Sequence, residues 1–129
     1  MKLVVIGTGY VGLVSGVCFA EFGFETTCID KDKIRITELE KGVCPFFEPG
    51  IEELLFKHLK KTKLISFSSS LNESIKDADV VFITVGTPSR RINDEADLSA
   101  IWEVAEEIGE SLKHYCLIVT KSTVPVGTT

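Results

Sequence analysis

The chain has 129 residues, 44% of them hydrophobic, with 14 lysines and arginines against 19 aspartates and glutamates and a net charge of −5. That is one domain's worth of chain, able to bury about two thirds of its unfolded surface, and its acidic balance argues against a nucleic-acid or anionic-membrane partner. Cys18, Cys28, Cys44 and Cys116 form no C-x-x-C pair and His58 and His114 stand far apart, so neither a metal site nor a disulfide framework is indicated.

Residues 3–12 read Leu-Val-Val-Ile-Gly-Thr-Gly-Tyr-Val-Gly, an apolar strand running into glycines. In a βαβ unit, Gly7 makes the tight turn, Gly9 lets the backbone approach a pyrophosphate, and Gly12 lets the following helix pack against the sheet. The pyrophosphate then rests on the positive end of that helix. Three glycines alone are a weak signal, and the context strengthens them. Val11, Val14, Cys18 and Phe22 follow at helical spacing, and Gly12, Gly16 and Ala20 form a small-residue row. A second strand, Thr26 to Ile29, ends on Asp30, 18 positions after Gly12. A carboxylate there reaches the adenosine ribose hydroxyls and repels a 2′-phosphate, which selects NAD over NADP. The alternative for Asp30 is a helix cap for the segment beginning at Lys31. Lys31, Lys33 and Arg35 are the nearby cations that could welcome a 2′-phosphate instead.

Between Leu3 and Ala20 no side chain is charged, which raises a signal peptide or membrane anchor as a rival reading. Four glycines, Thr8, Tyr10 and Ser15 interrupt the run, and no small-x-small cleavage site follows, so the expectation is a cytoplasmic enzyme domain. Cys18, Cys28 and Cys116 are expected in the core, and Cys44 in an exposed loop.

Ile34 to Lys41 reads as a helix stopped by Gly42, and the segment from Cys44 to Gly50, with Pro45 and Pro49, as a loop. A helix over Ile51 to Lys60 ends in Lys57, His58, Lys60, Lys61 and Lys63, read as solvated cations complementing the helix dipole. Leu64 to Phe67 is a third strand, Leu71 to Lys76 a short helical connection, and Asp79 to Val85 a fourth strand whose unbroken apolar run demands cover on both faces. Asp97 is expected to cap a long helix with Leu98, Ile101, Ala105, Ile108 and Leu112 inward and Glu103, Glu106, Glu107 and Glu110 outward. Arg90 and Arg91 precede it in a polar loop. Tyr115 to Thr120 is a fifth strand. The fold class is α/β, a Rossmann-type doubly wound parallel sheet that stops after the fifth or sixth strand region.

Several separated segments together resemble the UDP-glucose/GDP-mannose dehydrogenase family of nucleotide-sugar 6-dehydrogenases. They are Gly-Thr-Gly-Tyr-Val-Gly-Leu at 7–13, Glu48-Pro49-Gly50 with Ile51-Glu52-Glu53-Leu54, Val85-Gly86-Thr87-Pro88, Asp97-Leu98-Ser99, and Lys121-Ser122-Thr123-Val124-Pro125-Val126-Gly127-Thr128. The resemblance implies that residues 1–129 are the NAD-binding domain of a longer enzyme. Gly7, Gly9, Tyr10, Val11 and Gly12 would line the pyrophosphate, Asp30 the adenosine ribose, and Thr87 and Thr123 the cofactor at strand ends. Thr123 would also position the catalytic water. Arg35 stands where the family usually has lysine, keeping the charge but changing its geometry. Glu48 reads either as functional or as part of the helix entry.

The reaction so implied oxidises a sugar C6 alcohol to a carboxylate with two NAD, through a thioester on a cysteine. All its catalytic residues except the threonine would lie beyond residue 129, together with the central helix, the nucleotide-sugar domain and the contacts of a homo-oligomer. A UDP-sugar is the implied substrate, UDP-glucose first. GDP-mannose, a UDP-N-acetyl sugar, or a self-standing dinucleotide-binding module are the alternatives.

Overall fold

The apolar residues after Lys2 form β1 (Lys2–Ile6), and the β-branched run Thr26, Thr27 and Ile29 lies in β2 (Glu25–Ile29). In the computed structural model, which describes residues 1–89 and 96–129, these two strands join β3 (Ile65–Ser68), β4 (Val80–Ile83) and β5 (Leu117–Thr120) in one sheet. The order is β3-β2-β1-β4-β5 and every pairing is parallel. Helices α1 (Tyr10–Glu21), α2 (Lys33–Glu40), α3 (Ile51–Phe56), α4 (Leu71–Ile75) and α5 (Ser99–Ser111) make the crossovers that parallel strands require. Arg90 and Arg91 lie outside the described residues. No described helix is long and apolar enough to cross a membrane.

Alternation along the central strands builds two cores. Val5 points to the face covered by α1, α2 and α3, where it meets Leu13, Val17, Leu39 and Leu55. Val4 and Ile6 point to the opposite face, among Ile75, Val81, Val104 and Ile108. In β4, Val81 and Ile83 take the second face while Phe82 packs on the first, its ring 4.7 Å from that of Phe19. Both faces of β4 are covered, as its apolar run requires.

Helix α1 buries a different side from the one its apolar spacing picked out. Val11 and Phe22 are exposed, whereas Gly12, Leu13, Ser15, Gly16, Val17 and Ala20 are buried. The helix is apolar nearly all round, so periodicity does not choose its inner face; closeness to the sheet does. A Cβ on Gly16 would fall 2.4 Å from Cys28 Sγ, and one on Gly12 would fall 1.8 Å from the Gly7 carbonyl oxygen. The small-residue row therefore faces inward.

Other corrections have similar causes. Asp32, not Asp30, caps α2, its carboxylate accepting from the N–H groups of Ile34 and Arg35 at 3.1 Å each. Leu98 occupies the cap position of α5, and Asp97, one residue earlier, accepts from the Ser99 N–H at 3.0 Å. Val104 rather than Ala105 is buried on α5. Helix α3 gives way to a wider π-helical turn over Lys57–Lys61, which turns His58 inward. His58 is 2% exposed and hydrogen-bonds Thr62 Oγ1 at 2.9 Å and Glu21 Oε2 at 2.5 Å, so it is a packed residue and not a solvated one. Cys28 is fully buried, its thiol pKa pushed up to about 12 by desolvation, while Cys18 and Cys116 are only partly buried. Cys44 packs against the first core because its loop folds back onto α1.

Gly12→Ala should destabilise the chain by about 3 kcal/mol or more, since the added methyl's tightest clash, 1.8 Å, is with fixed backbone that cannot move aside. Chemical denaturation of the two proteins checks this, and equal midpoints would contradict it.

Candidate functional site

Strand β1 pairs with β2 on one side and β4 on the other, so successive crossovers leave it in opposite directions. At such a switch point the loops after the two strands part and leave a crevice outside the carboxyl ends. A cleft of about 440 Å³ lies there, lined by Gly7, Gly9, Asp30, Lys31, Arg35, Thr84, Val85 and Gly86, with Ala100, Val104 and Glu107 of α5 as its far wall.

The floor is the glycine turn. Gly7, at φ +102°, makes the reversal after β1, and its N–H donates to the Ile29 carbonyl at 2.8 Å. Thr84 ties β4 to the same turn, its hydroxyl 2.8 Å from the Ile6 carbonyl oxygen and 3.1 Å from that of Gly7. Gly9 is the N-cap of α1 and brings no side-chain cap, and the first turn of α1 holds no acidic residue. The helix therefore begins with N–H donors that no intrahelical carbonyl satisfies and with an uncompensated positive dipole end. A Cβ on Gly9 would meet nothing within 4 Å, so its open side faces free space.

Asp30 stands at the tip of β2, its side chain 16% exposed. Its Oδ2 accepts from the Thr8 N–H at 2.9 Å and the Thr8 hydroxyl at 2.7 Å, and its Oδ1 accepts from the Asp32 N–H at 3.0 Å. Arg35 Nη1 lies 3.8 Å from Oδ2. Desolvation pushes the carboxyl pKa upward, but the hydrogen bonds from Asp32 and Thr8, with the Arg35 charge, outweigh it and hold the group below its ordinary value of 3.8. Of the two other cations near this tip, Lys31 is paired with Glu103 of α5, and Lys33 is exposed.

Across the turn, a second opening of about 530 Å³ is lined by Gly9, Tyr10, Val11, Thr84, Gly86, Thr87, Ser122 and Thr123. Thr87 and Thr123 follow β4 and β5 and meet: the Thr87 hydroxyl donates to the Thr123 carbonyl at 2.7 Å, and the two hydroxyls are 3.0 Å apart. The Ser122 hydroxyl donates to the Val85 carbonyl at 2.8 Å. Of the nine residues singled out from the sequence, Gly7, Gly9, Asp30 and Arg35 line the first cleft, Gly9, Tyr10, Val11, Thr87 and Thr123 line the second, and Gly12 packs on the Gly7 carbonyl beneath them. The side chain of Tyr10 turns away, its hydroxyl donating to Glu48 Oε2 at 2.7 Å and its ring packing on Phe46 at 5.0 Å, so only its backbone faces the turn. Glu48 also serves the entry to α3, its carbonyl accepting from the Ile51 N–H at 3.1 Å.

Sequence reasoning missed Thr8 and Thr84. Thr8 occupies an unconstrained place between two glycines, and Thr84 ends an apolar strand; no spacing rule points to either. Both are buried, and a buried hydroxyl must find an acceptor.

A parallel sheet with this order, a bare helix N-terminus at the switch point and a carboxylate at the next strand tip together define a dinucleotide-binding domain of the doubly wound class. The profile of the UDP-glucose/GDP-mannose dehydrogenase family, NAD binding domain, matches residues 1–129. The chain belongs to that family and is its NAD-binding domain. It is 51% identical over 128 residues to UDP-glucose 6-dehydrogenase of Rhizobium meliloti, covering 99% of this chain and 29% of that protein. It is 48% identical to UDP-glucose 6-dehydrogenase of Pseudomonas aeruginosa over the same length, 28% of that protein. Among solved structures, GDP-mannose dehydrogenase of Pseudomonas aeruginosa superposes with a TM-score of 0.94 at 35% identity, over 99% of this chain and 30% of that one. A UDP-glucose dehydrogenase of Pyrobaculum islandicum does so at 0.93 and 37%, with the same coverage. The chain thus spans under a third of the length of these relatives.

Because the folded-state pKa of Asp30 is depressed, the stability it contributes is present above the ordinary value of 3.8 and is lost as pH falls through the lower folded value. The stability difference between the chain and its Asp30→Asn variant should stay flat from about pH 8 to about pH 5 and close only in the acid limb. Urea titrations across pH check this, and a difference that fades near neutrality would contradict it.

Proposed function

We propose that this domain binds NAD with its pyrophosphate on the N-terminus of α1, its adenosine ribose against Asp30 and its nicotinamide half toward Thr87 and Thr123, within an enzyme that oxidises UDP-glucose at C6 to UDP-glucuronate. The observation that carries the reading is the convergence, at one switch point, of an uncapped helix N-terminus with a carboxylate held ionised at the neighbouring strand tip. The residues fit the cofactor. The open side of Gly9 leaves room for a phosphate, the first-turn N–H groups supply donors, and Asp30 Oδ1 has a lone pair left for a ribose hydroxyl.

Arg35, 3.8 Å from Asp30, supplies charge at the adenosine end. The pairing of Lys31 with Glu103 takes one nearby cation away from a 2′-phosphate, and the ionised Asp30 repels one, which favours NAD. NAD supplies the hydride acceptor; this chain's own residues bind and orient it. Thr123, just after β5 and bonded to Thr87, is assigned a further part in positioning water by its resemblance to the family's threonine. Choice of UDP-glucose is supported by the curated relatives named above, which are UDP-glucose 6-dehydrogenases. Because the chain covers so small a share of them, we assign the sugar site, the remaining catalytic groups and the contacts of a homo-oligomer to a longer protein, and expect these 129 residues to bind cofactor without turnover.

Calorimetry with NAD and NADP tests the assignment. NAD should bind and NADP should bind at least about tenfold more weakly, and Asp30→Ala should cost NAD about 10- to 100-fold, the worth of a charge-assisted hydrogen bond. Gly9→Ala should weaken NAD by a similar factor while leaving stability within about 0.5 kcal/mol of the unsubstituted chain. Equal affinities for NAD and NADP would defeat the role given to Asp30.

A further inference from the structure

Thr8 is completely buried, yet both of its donors, the backbone N–H and the hydroxyl, go to one atom, Asp30 Oδ2, at 2.9 and 2.7 Å. A carboxylate oxygen has about two lone-pair sites, so Thr8 fills Oδ2. The other oxygen, Oδ1, spends one site on the Asp32 N–H and keeps one, on a residue that lines the cleft. Arg35 Nη1 waits 3.8 Å from Oδ2, beyond hydrogen-bond distance but near enough to capture the carboxylate if its other bonds were loosened. The main-chain bond from Asp30 N–H to the Ser68 carbonyl, 3.2 Å, holds the backbone of this tip but not its χ angles.

We propose that Thr8 is a positioning residue for dinucleotide selectivity: from beneath the glycine turn it holds Oδ2 of Asp30, so that Oδ1 is the oxygen presented to the adenosine ribose and the carboxylate cannot swing onto Arg35. The inference rests on the assignment of Asp30 to the ribose. It goes further, because it locates part of the selectivity in a residue that touches no ligand. Threonine suits this role because its branched Cβ restricts χ1, so the hydroxyl is aimed without much loss of rotamer freedom. Without the hydroxyl, Oδ2 retains a single donor and the Arg35 guanidinium can pair with it. The carboxylate then withdraws from the ribose, and the repulsion that keeps out a 2′-phosphate weakens.

The test measures NAD and NADP affinities of this chain with Thr8→Val, Thr8→Ala and Thr8→Ser, each alone and with Asp30→Asn. Thr8→Val should weaken NAD about tenfold and narrow the NAD-to-NADP affinity ratio by about the same factor, and Thr8→Ser, which keeps the hydroxyl, should stay within about twofold. On the Asp30→Asn background the Thr8 substitutions should not change the NAD-to-NADP ratio further, because the carboxylate charge that Arg35 would capture and that repels a 2′-phosphate is gone. A purely structural Thr8 would lower the unfolding temperature and leave the ratio where it was; that result overturns the proposal. So does a Thr8→Ser ratio displaced as far as that of Thr8→Ala, a comparison that serves even if valine prevents folding. If Asp30→Asn itself leaves NAD affinity unchanged, the ribose assignment falls and this inference with it; if Asp30→Asn weakens NAD and Thr8→Val does not, only the inference falls.

Discussion

The site depends on one crowded point, the contact of α1 with the turn that follows β1. Gly12 lies so close to the Gly7 carbonyl that a methyl group there would sit 1.8 Å from the oxygen and 2.5 Å from Thr84 Oγ1. That closeness brings the first turn of the helix over the end of the sheet, where its unsatisfied N–H groups face the crevice between β1 and β4. Thr84 reinforces the same point from β4, its hydroxyl bridging the Ile6 and Gly7 carbonyls. Fold and site are therefore one construction: the packing that buries Leu13 and Val17 also aims the helix.

Charge is arranged around this point with little left over. Asp30 is held by Thr8 and Asp32 with Arg35 3.8 Å away, and Lys31 is paired with Glu103, while Lys33 is exposed. The positive end of α1 has no such partner, its cap being a glycine and its first turn free of acidic residues. The local field accordingly favours an anion at the turn and a neutral hydroxyl at the tip of β2, the order in which a dinucleotide presents its pyrophosphate and its ribose.

The other opening is held by hydroxyls in place of charges. Thr87, Ser122 and Thr123 lace the ends of β4 and β5 together through carbonyls that the strands leave free. Beside them, the Tyr10 to Glu48 hydrogen bond and the Tyr10–Phe46 ring contact fasten the loop before α3 to the start of α1. A segment that reads only as a proline-containing loop thus becomes part of the wall, and Cys44 comes with it onto the core.

The sequence by itself determined the parallel sheet, the glycine turn and the carboxylate at the tip of β2. Each depends on local chemistry: an apolar run, a missing Cβ, a charge at a strand end. Pro45 and Pro49 likewise marked their loop, and the segments at 85–88 and 121–128 marked the strand ends where Thr87 and Thr123 lie. Only the tertiary structure decided which side of α1 is buried, because a helix apolar all round has no preferred face until the sheet imposes one. It alone turned His58 inward through the wider turn over Lys57–Lys61, and it alone passed the α2 cap to Asp32, leaving Asp30 for the cleft. The bonds from Thr8 to Asp30 span 22 positions and those from Thr84 to the glycine turn 77 and 78. No spacing rule reaches that far, since what brings these groups together is the pairing of β1 with β2 and β4, and that exists only once the chain has folded.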